Sequence, residues 1–164
     1  MNLRSIFLVG ALALGPGCAR DLEPFLGTYT ATGAVTFSFA GQNNTQPRSD
    51  TVRVTEGDTA DILLTSEGGC ALPAEVEDAL ATLVPNTSCT ENVTLPDGTV
   101  LAATLVVTSG TATLVDEVIT LNYAGTVSVV YEGMPYTAGF SSAMTLSRAT
   151  TARAIAGPDA LRAR

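Results

Sequence analysis

Cysteines are the residues of this sequence with the clearest chemistry, and two of the three are expected to pair. Cys18 belongs to an N-terminal segment considered below, which leaves Cys70 and Cys89. An even pair of cysteines in an oxidising compartment usually forms a disulfide. A metal site is the competing interpretation, but the chain contains no histidine and two thiolates do not complete a tetrahedral shell. The sequence therefore predicts a Cys70–Cys89 disulfide, worth about 3 kcal/mol in the chain-entropy model.

Most catalytic combinations are excluded by composition. Without histidine there is no Ser-His-Asp or Cys-His arrangement, and the basic residues are all arginine, so there is no lysine for a Schiff base. Carboxylates gather in three turns: Glu56, Asp58 and Asp61; Glu75, Glu77 and Asp78; and Asp116 with Glu117. They are the oxygen ligands that calcium takes, but their spacing matches no calcium loop. We interpret them as solvated turn charges and predict no catalytic residue, no metal site and no cofactor.

The segment that ends at Cys18 has the layout of an export signal. Arg4 provides the positive start, residues 6–14 are an apolar run, and small residues precede Cys18. The run is too short to span a bilayer, which takes about 20 residues. The segment resembles a bacterial lipoprotein signal, although Gly15 stands where such signals usually have Leu. This resemblance implies lipid on Cys18 and a place in the cell envelope, at the outer membrane or in the periplasm; cleavage after Ala19 and free secretion is the alternative.

Beyond the signal, about 145 residues remain, enough for one domain with a real core. Residues 19–26 are expected to be a tether, residues 27–148 the folded domain and residues 149–164 a disordered tail. The net charge of −8 argues against nucleic acid as a partner. The expected partners are the membrane, through lipid on Cys18, and a protein of the envelope.

Alternation of apolar and hydroxyl-bearing side chains predicts β-strands through most of the domain, and the two clearest strands stand at its ends. Residues 28–39 and 136–147 both keep a period of two for about a dozen residues. Pairing these two strands would remove two long exposed edges by closing a barrel. The sequence therefore predicts an all-β fold, an antiparallel up-and-down meander of about eight strands closing into a small barrel. An open β-sandwich is the alternative.

The middle of the domain is less regular. We predict a polar loop over 40–50, a hairpin of 51–56 with 59–65, a turn at 109–110 and a bulge or bend at 124–125. Residues 73–84 are ambiguous, because Pro73 and the acidic residues after it suit a helix start, whereas Leu72, Ala74 and Val76 alternate as in a strand. We expect a short helix over 73–84, with a returning strand pair as the alternative.

Apolar side chains on the inner face of the predicted barrel are the candidate ligand-binding residues: Tyr29, Phe37, Phe39, Val52, Tyr136, Phe140 and Met144. They either line a cavity for a small hydrophobic ligand or simply fill the core.

Gly27-Thr28-Tyr29 at the start of the first strand resembles the G-x-W motif of the lipocalin-like (calycin) barrels, with Tyr29 in place of Trp. Arg148 ends the last strand, where that family often packs an arginine across the N-terminal aromatic ring, a cation–π contact of about 1 kcal/mol. The chain is also similar in style to small Thr-rich lipoproteins of high-GC bacteria such as myxobacteria. The resulting hypothesis is a non-enzymatic envelope lipoprotein whose barrel binds a small apolar ligand. The alternative is a structural or interaction lipoprotein with a filled core.

Overall fold

The computed structural model describes residues 21–94 and 98–149, which form one turn of 3-10 helix followed by nine strands. The helical turn is Glu23–Phe25, and the strands are β1 Gly27–Phe39, β2 Gln42–Glu56, β3 Ile62–Ser66, β4 Ala71–Glu77, β5 Leu80–Leu83, β6 Thr87–Thr94, β7 Val100–Val115, β8 Val118–Tyr131 and β9 Met134–Arg148. No helix within these ranges is long and apolar enough to cross a membrane. The predicted export signal with Cys18, and the predicted tail after Ala149, lie outside the described residues.

All nine strands belong to one antiparallel sheet that returns on itself. Its order is β5-β4-β3-β2-β1-β9-β8-β7-β6, and β5 also pairs with β7. The predicted pairing of the first strand with the last is confirmed, with a register that runs from Tyr29 opposite Arg148 to Ser38 opposite Gly139. The predicted all-β meander is therefore confirmed, as a ring-like sheet.

The ring is closed by β7, which has two successive partners on one side. β5 pairs with its second half, from Leu80 opposite Thr113 to Thr82 opposite Thr111. β6 pairs with its first half, from Thr87 opposite Val107 onward. Together β5 and β6 thus behave as one interrupted strand along β7.

The predicted turn at 109–110 is wrong, because β7 runs without a break from Val100 to Val115. Its register against β8 shifts between Val107 and Ser109, so Thr108 is the extra residue of a bulge. The irregularity predicted at Ala124 and Gly125 in β8 thus lies on the neighbouring strand, directly opposite them. Ser109 and Gly110 resemble a turn in sequence, but the long ladder on both sides of them keeps the chain extended.

The predicted helix over 73–84 is also wrong. The segment folds as the hairpin of β4 and β5, with Ala74 opposite Leu83. Leu72, Ala74 and Val76 are buried while their neighbours are more exposed, which is the period of a strand. Backbone pairing with β3 on the other side of β4 then outweighs the helical spacing of a few apolar residues.

The predicted loop over 40–50 is a third error, since β2 begins at Gln42 and pairs along its length with β1. β3 pairs with β2 only from Val52 onward. The first half of β2 is therefore exposed, and its side chains are polar. Side-chain bonds support the pairing with β1, including Ser38 Oγ donating to Asn43 Oδ1 at 2.8 Å. Prolines and charges are usual on such an unprotected edge.

One end of the barrel, which we call the closed end, is filled by the residues that precede β1. Phe25 is 1% exposed, so the second half of the predicted tether is packed on the domain. The Tyr29 hydroxyl donates to the Phe25 carbonyl oxygen at 2.9 Å. Arg148 lies 5.4 Å from the centre of the Tyr29 ring and donates to the carbonyl oxygens of Leu26 and Pro24 at 3.0 and 2.9 Å. The expected arginine–aromatic contact is therefore present and holds the closed end together.

Candidate ligand-binding cavity

Above the closed end, the interior of the barrel is not filled. A cavity of about 230 Å³ lies between the two halves of the sheet. Its apolar lining comes from seven strands: Val35, Phe37, Val52, Leu64, Leu72, Leu105, Val107, Leu121, Val127, Phe140 and Met144. Protein interiors normally hold few voids larger than a water molecule, so a space of this size is a distinct feature of the barrel.

Four of the predicted ligand-binding residues, Phe37, Val52, Phe140 and Met144, line this cavity. Tyr29 does not, because it is fully buried in the packed closed end.

Phe39 and Tyr136 also lie away from the cavity, 55% and 38% exposed. They stand near the outer ends of β1 and β9, beyond the reach of the short strands β3 and β4. Alternation correctly identified which side chains of a strand point inward. It does not show where along the strand other strands lie opposite and bury those side chains.

Sequence reasoning missed a group of polar side chains on the cavity wall, which we call the polar wall: Arg48, Asp50, Glu91 and Tyr123. Arg48 and Asp50 continue the inward positions of Val52 and Val54 along β2. The signal was present as an alternation that simply changes from apolar to charged side chains. It was missed because the segment was read as a loop.

An ion-pair network joins the charged members of the polar wall. Arg48 Nη2 donates to Glu91 Oε2 at 3.2 Å and lies 3.7 Å from Asp50 Oδ2. The Asp50 and Glu91 side chains are only 12% and 13% exposed, whereas that of Arg48 is 45% exposed. Asp50 Oδ1 accepts the backbone N–H groups of Thr51 and Glu67 at 2.7 and 3.2 Å. Two sheltered carboxylates thus share one guanidinium that is more open to water.

Tyr123 adds a hydroxyl group to the polar wall. Its ring stands edge-on to Phe140, with 5.8 Å between centroids. Burial raises the pKa of the Tyr123 hydroxyl above its ordinary value, while the adjacent Ser142 hydroxyl and the Arg48 charge oppose that shift. The group therefore stays protonated at neutral pH and is able to donate a hydrogen bond.

Ser142 lies opposite Tyr123 in the sheet and is buried between two inward residues of β9, Phe140 and Met144. It is 4% exposed, and its Oγ makes no hydrogen bond of ordinary geometry within the described part of the chain. It interacts with the hydroxyl group of Tyr123 and does not itself line the cavity.

The predicted disulfide is confirmed and forms part of the cavity wall. Cys70 and Cys89 are joined, with 5.2 Å between their Cα atoms. Pairing of β4 with β5 ends at Ala74 opposite Leu83, followed by one bond from Val84 N–H to the Pro73 carbonyl at 2.8 Å. Beyond that bond, the disulfide links the start of β4 to β6, and Cys70 itself lines the cavity. The covalent bond thus continues the wall where backbone pairing stops.

The cavity opens to solvent beside β2. Its exposed lining residues, Gln46, Pro47 and Arg48, all lie on the stretch of β2 that pairs with β1 alone. β6 is the last strand of the sheet on the facing side. The Arg48–Glu91 ion pair therefore joins β2 and β6 across a lateral gap, which forms the mouth of the cavity.

Among residues 21–94 and 98–149, no group of three or more histidine, cysteine, aspartate or glutamate side chains is placed to hold a metal ion.

Comparison with known proteins adds little to this picture. No protein-family model and no curated protein matches the chain. A crystal structure of a protein of unknown function from the DUF3598 family of Nostoc punctiforme is similar over 82% of this chain and 53% of its own, at 12% identity and a TM-score of 0.32. The chain thus spans about half the length of that protein.

Proposed function

We propose that this protein is a non-enzymatic, exported lipoprotein whose barrel binds a small, mainly apolar ligand in its cavity. The observation that supports this most directly is the cavity of about 230 Å³ with apolar walls and a few polar groups on one side. Small-molecule sites have this composition and usually measure about 300–1,000 Å³, so the ligand is small. The absence of histidine and lysine from the sequence is the reason for proposing a binding function instead of catalysis.

Export and lipid attachment at Cys18 belong to the same proposal and rest on the signal-like sequence of the N-terminus. The disulfide agrees with an oxidising compartment. The first described residues pack on the closed end through Phe25, so an anchor at Cys18 would join the domain at that end. The intact mass of the membrane-extracted protein tests this: a diacylglycerol-sized adduct on a chain starting at Cys18 supports it, and an unmodified chain starting at Arg20 contradicts it.

Ligand binding is tested with the neutral, apolar fluorescent probe N-phenyl-1-naphthylamine. We expect saturable binding to the folded protein and about tenfold weaker binding, or about 1.4 kcal/mol, for Val127→Phe, which places a larger side chain in the cavity. Val130→Phe is the matched control, because Val130 lies on the same strand but is 62% exposed and does not line the cavity.

An equal effect of the two substitutions, or no binding at all, would contradict the proposal. It would favour the alternative, a structural or interaction lipoprotein that acts through its outer surface on an envelope partner.

A further inference from the structure

The polar wall carries more negative than positive charge. Asp50 and Glu91 each contribute one negative charge, Arg48 contributes one positive charge, and the side chains of both carboxylates are about seven-eighths buried. Charges in such a sheltered place interact more strongly than in bulk water, because the effective dielectric constant is lower. The mouth of an otherwise apolar cavity therefore has a net charge of −1.

The acceptors in the polar wall are also incompletely used. Among the described residues no hydrogen bond reaches Asp50 Oδ2, and its contact with Arg48 Nη2 is a loose 3.7 Å. A bound ammonium group would find a free acceptor in Asp50 Oδ2, whereas a bound carboxylate would lie next to the carboxylates of Asp50 and Glu91.

We propose that the ligand of the cavity is an amphiphile with a short apolar body and a cationic head group, such as an alkylammonium. The apolar body lies among Phe37, Leu105 and Phe140, and the ammonium lies against the carboxylates of Asp50 and Glu91. Arg48, the exposed member of the network, moves outward as the ligand ammonium takes its place. This inference rests on the proposed function and gives the chemical class of its ligand.

The experiment compares three ligands that share one chain length and differ in head charge: octylammonium, octanol and octanoate. Each displaces N-phenyl-1-naphthylamine from the disulfide-bonded protein at pH 7.5 and low salt, and calorimetry gives the direct affinity. We expect octylammonium to bind about tenfold more tightly than octanol, with octanoate the weakest. The preference should shrink at high salt, because screening weakens the charge interactions.

Charge-removing variants locate the effect. Glu91→Gln and Asp50→Asn should each lower octylammonium affinity about tenfold and leave octanol affinity unchanged. Glu77→Gln is the matched control, because Glu77 is exposed on the strand β4 and does not line the cavity. Thermal unfolding checks that each variant folds. If Glu91→Gln opens the barrel by removing the ion pair with Arg48, Asp50→Asn still provides the test.

Two results would overturn the inference while leaving the proposed function intact. One is octanoate binding as tightly as octylammonium or more tightly, which would make Arg48 the dominant charge. The other is unchanged octylammonium affinity in both folded carboxylate variants. Failure of N-phenyl-1-naphthylamine itself to bind would overturn the proposed function and this inference together.

Discussion

At the scale of single residues, some inward-facing side chains pack into a filled core, whereas others line the empty cavity. At the closed end Tyr29 is held by the Phe25 carbonyl and by Arg148, so its aromatic ring completes a packed core. Tyr123 is also an inward-facing tyrosine, but it lines the cavity and turns its hydroxyl toward charged groups. The same residue type therefore has a structural role at one end of the barrel and a candidate binding role in the middle.

The raised pKa values of Tyr29 and Tyr123 predict a loss of stability in alkali. Burial is the main cause of both shifts, so above about pH 10, the ordinary tyrosine value, the folded protein holds more protons than the unfolded chain. The free energy of unfolding must then fall as pH rises. Urea denaturation from pH 8 to 11 should show this fall, and the fall should be shallower in Tyr123→Phe.

Among residues 21–94 and 98–149, tyrosines are the side chains that titrate in this range, because the chain has no lysine and Cys70 and Cys89 are bonded. Phe37→Leu is a suitable control, since it alters the same cavity wall without removing an ionisable group. A pH dependence of Tyr123→Phe identical to that of the parent protein would contradict the prediction.

At the scale of elements, unequal strand lengths produce the cavity and its mouth. β3, β4 and β5 are short, whereas β1, β2, β7, β8 and β9 each have at least 13 residues. The short strands cover only the part of the barrel near the closed end. The remaining stretch of β2 pairs with β1 alone, so its other edge stays unpaired beside the mouth.

Gly125 makes that bulge sterically feasible, so Gly125→Ala should be strongly destabilising. A Cβ atom at this position would overlap the Val106 carbonyl oxygen in β7, and backbone on the facing strand cannot move without breaking the ladder. We expect a loss of about 2–3 kcal/mol in the free energy of unfolding, in the upper part of the range for overpacking.

Gly139→Ala is the control for this substitution. Gly139 lies in the adjacent strand β9, and a Cβ atom there would be 3.9 Å from its nearest neighbours. Its stability should equal or slightly exceed that of the parent protein, because Gly weakens strand interiors. Similar losses in the two variants would show that close approach to β7 is not the reason.

At the scale of the whole molecule, the ring of strands is complete only because different kinds of bond act in succession. Backbone pairing of β5 with β7 closes the half near the closed end. The Cys70–Cys89 disulfide continues the closure, and the Arg48–Glu91 ion pair crosses the remaining gap. At the mouth, closure thus depends on a side-chain ion pair with an exposed partner, Arg48, instead of on backbone pairing or a covalent bond.

Removing the disulfide should therefore affect both stability and binding. The Cys70→Ala, Cys89→Ala double variant should lose about 3 kcal/mol of unfolding free energy, as expected for a loop of this size. It should also bind N-phenyl-1-naphthylamine more weakly, because Cys70 is part of the cavity lining. Chemical reduction of the parent protein should reproduce both effects, and a stability loss with unchanged probe affinity would contradict the role of the disulfide in the wall.

The sequence by itself determined the parts of this protein whose signal is local and repeated. The first and last strands were predictable because a dozen alternating residues leave one apolar face that must be buried, and their pairing followed from the need to cover two long edges. The disulfide was predictable because Cys70 and Cys89 are a simple pair. The inward positions of Phe37 and Phe140 followed from the same alternation.

Only the tertiary structure decided the features that depend on which neighbours a strand meets. β2 extends through residues 42–50 because β1 supplies hydrogen-bond partners, although its side chains show no apolar face. Residues 73–84 became strands because β3 and β7 offered edges to pair with, while their short apolar pattern fits either helix or strand. The polar wall arose the same way, since Arg48 and Glu91 are 43 positions apart in the chain and meet only when the barrel closes.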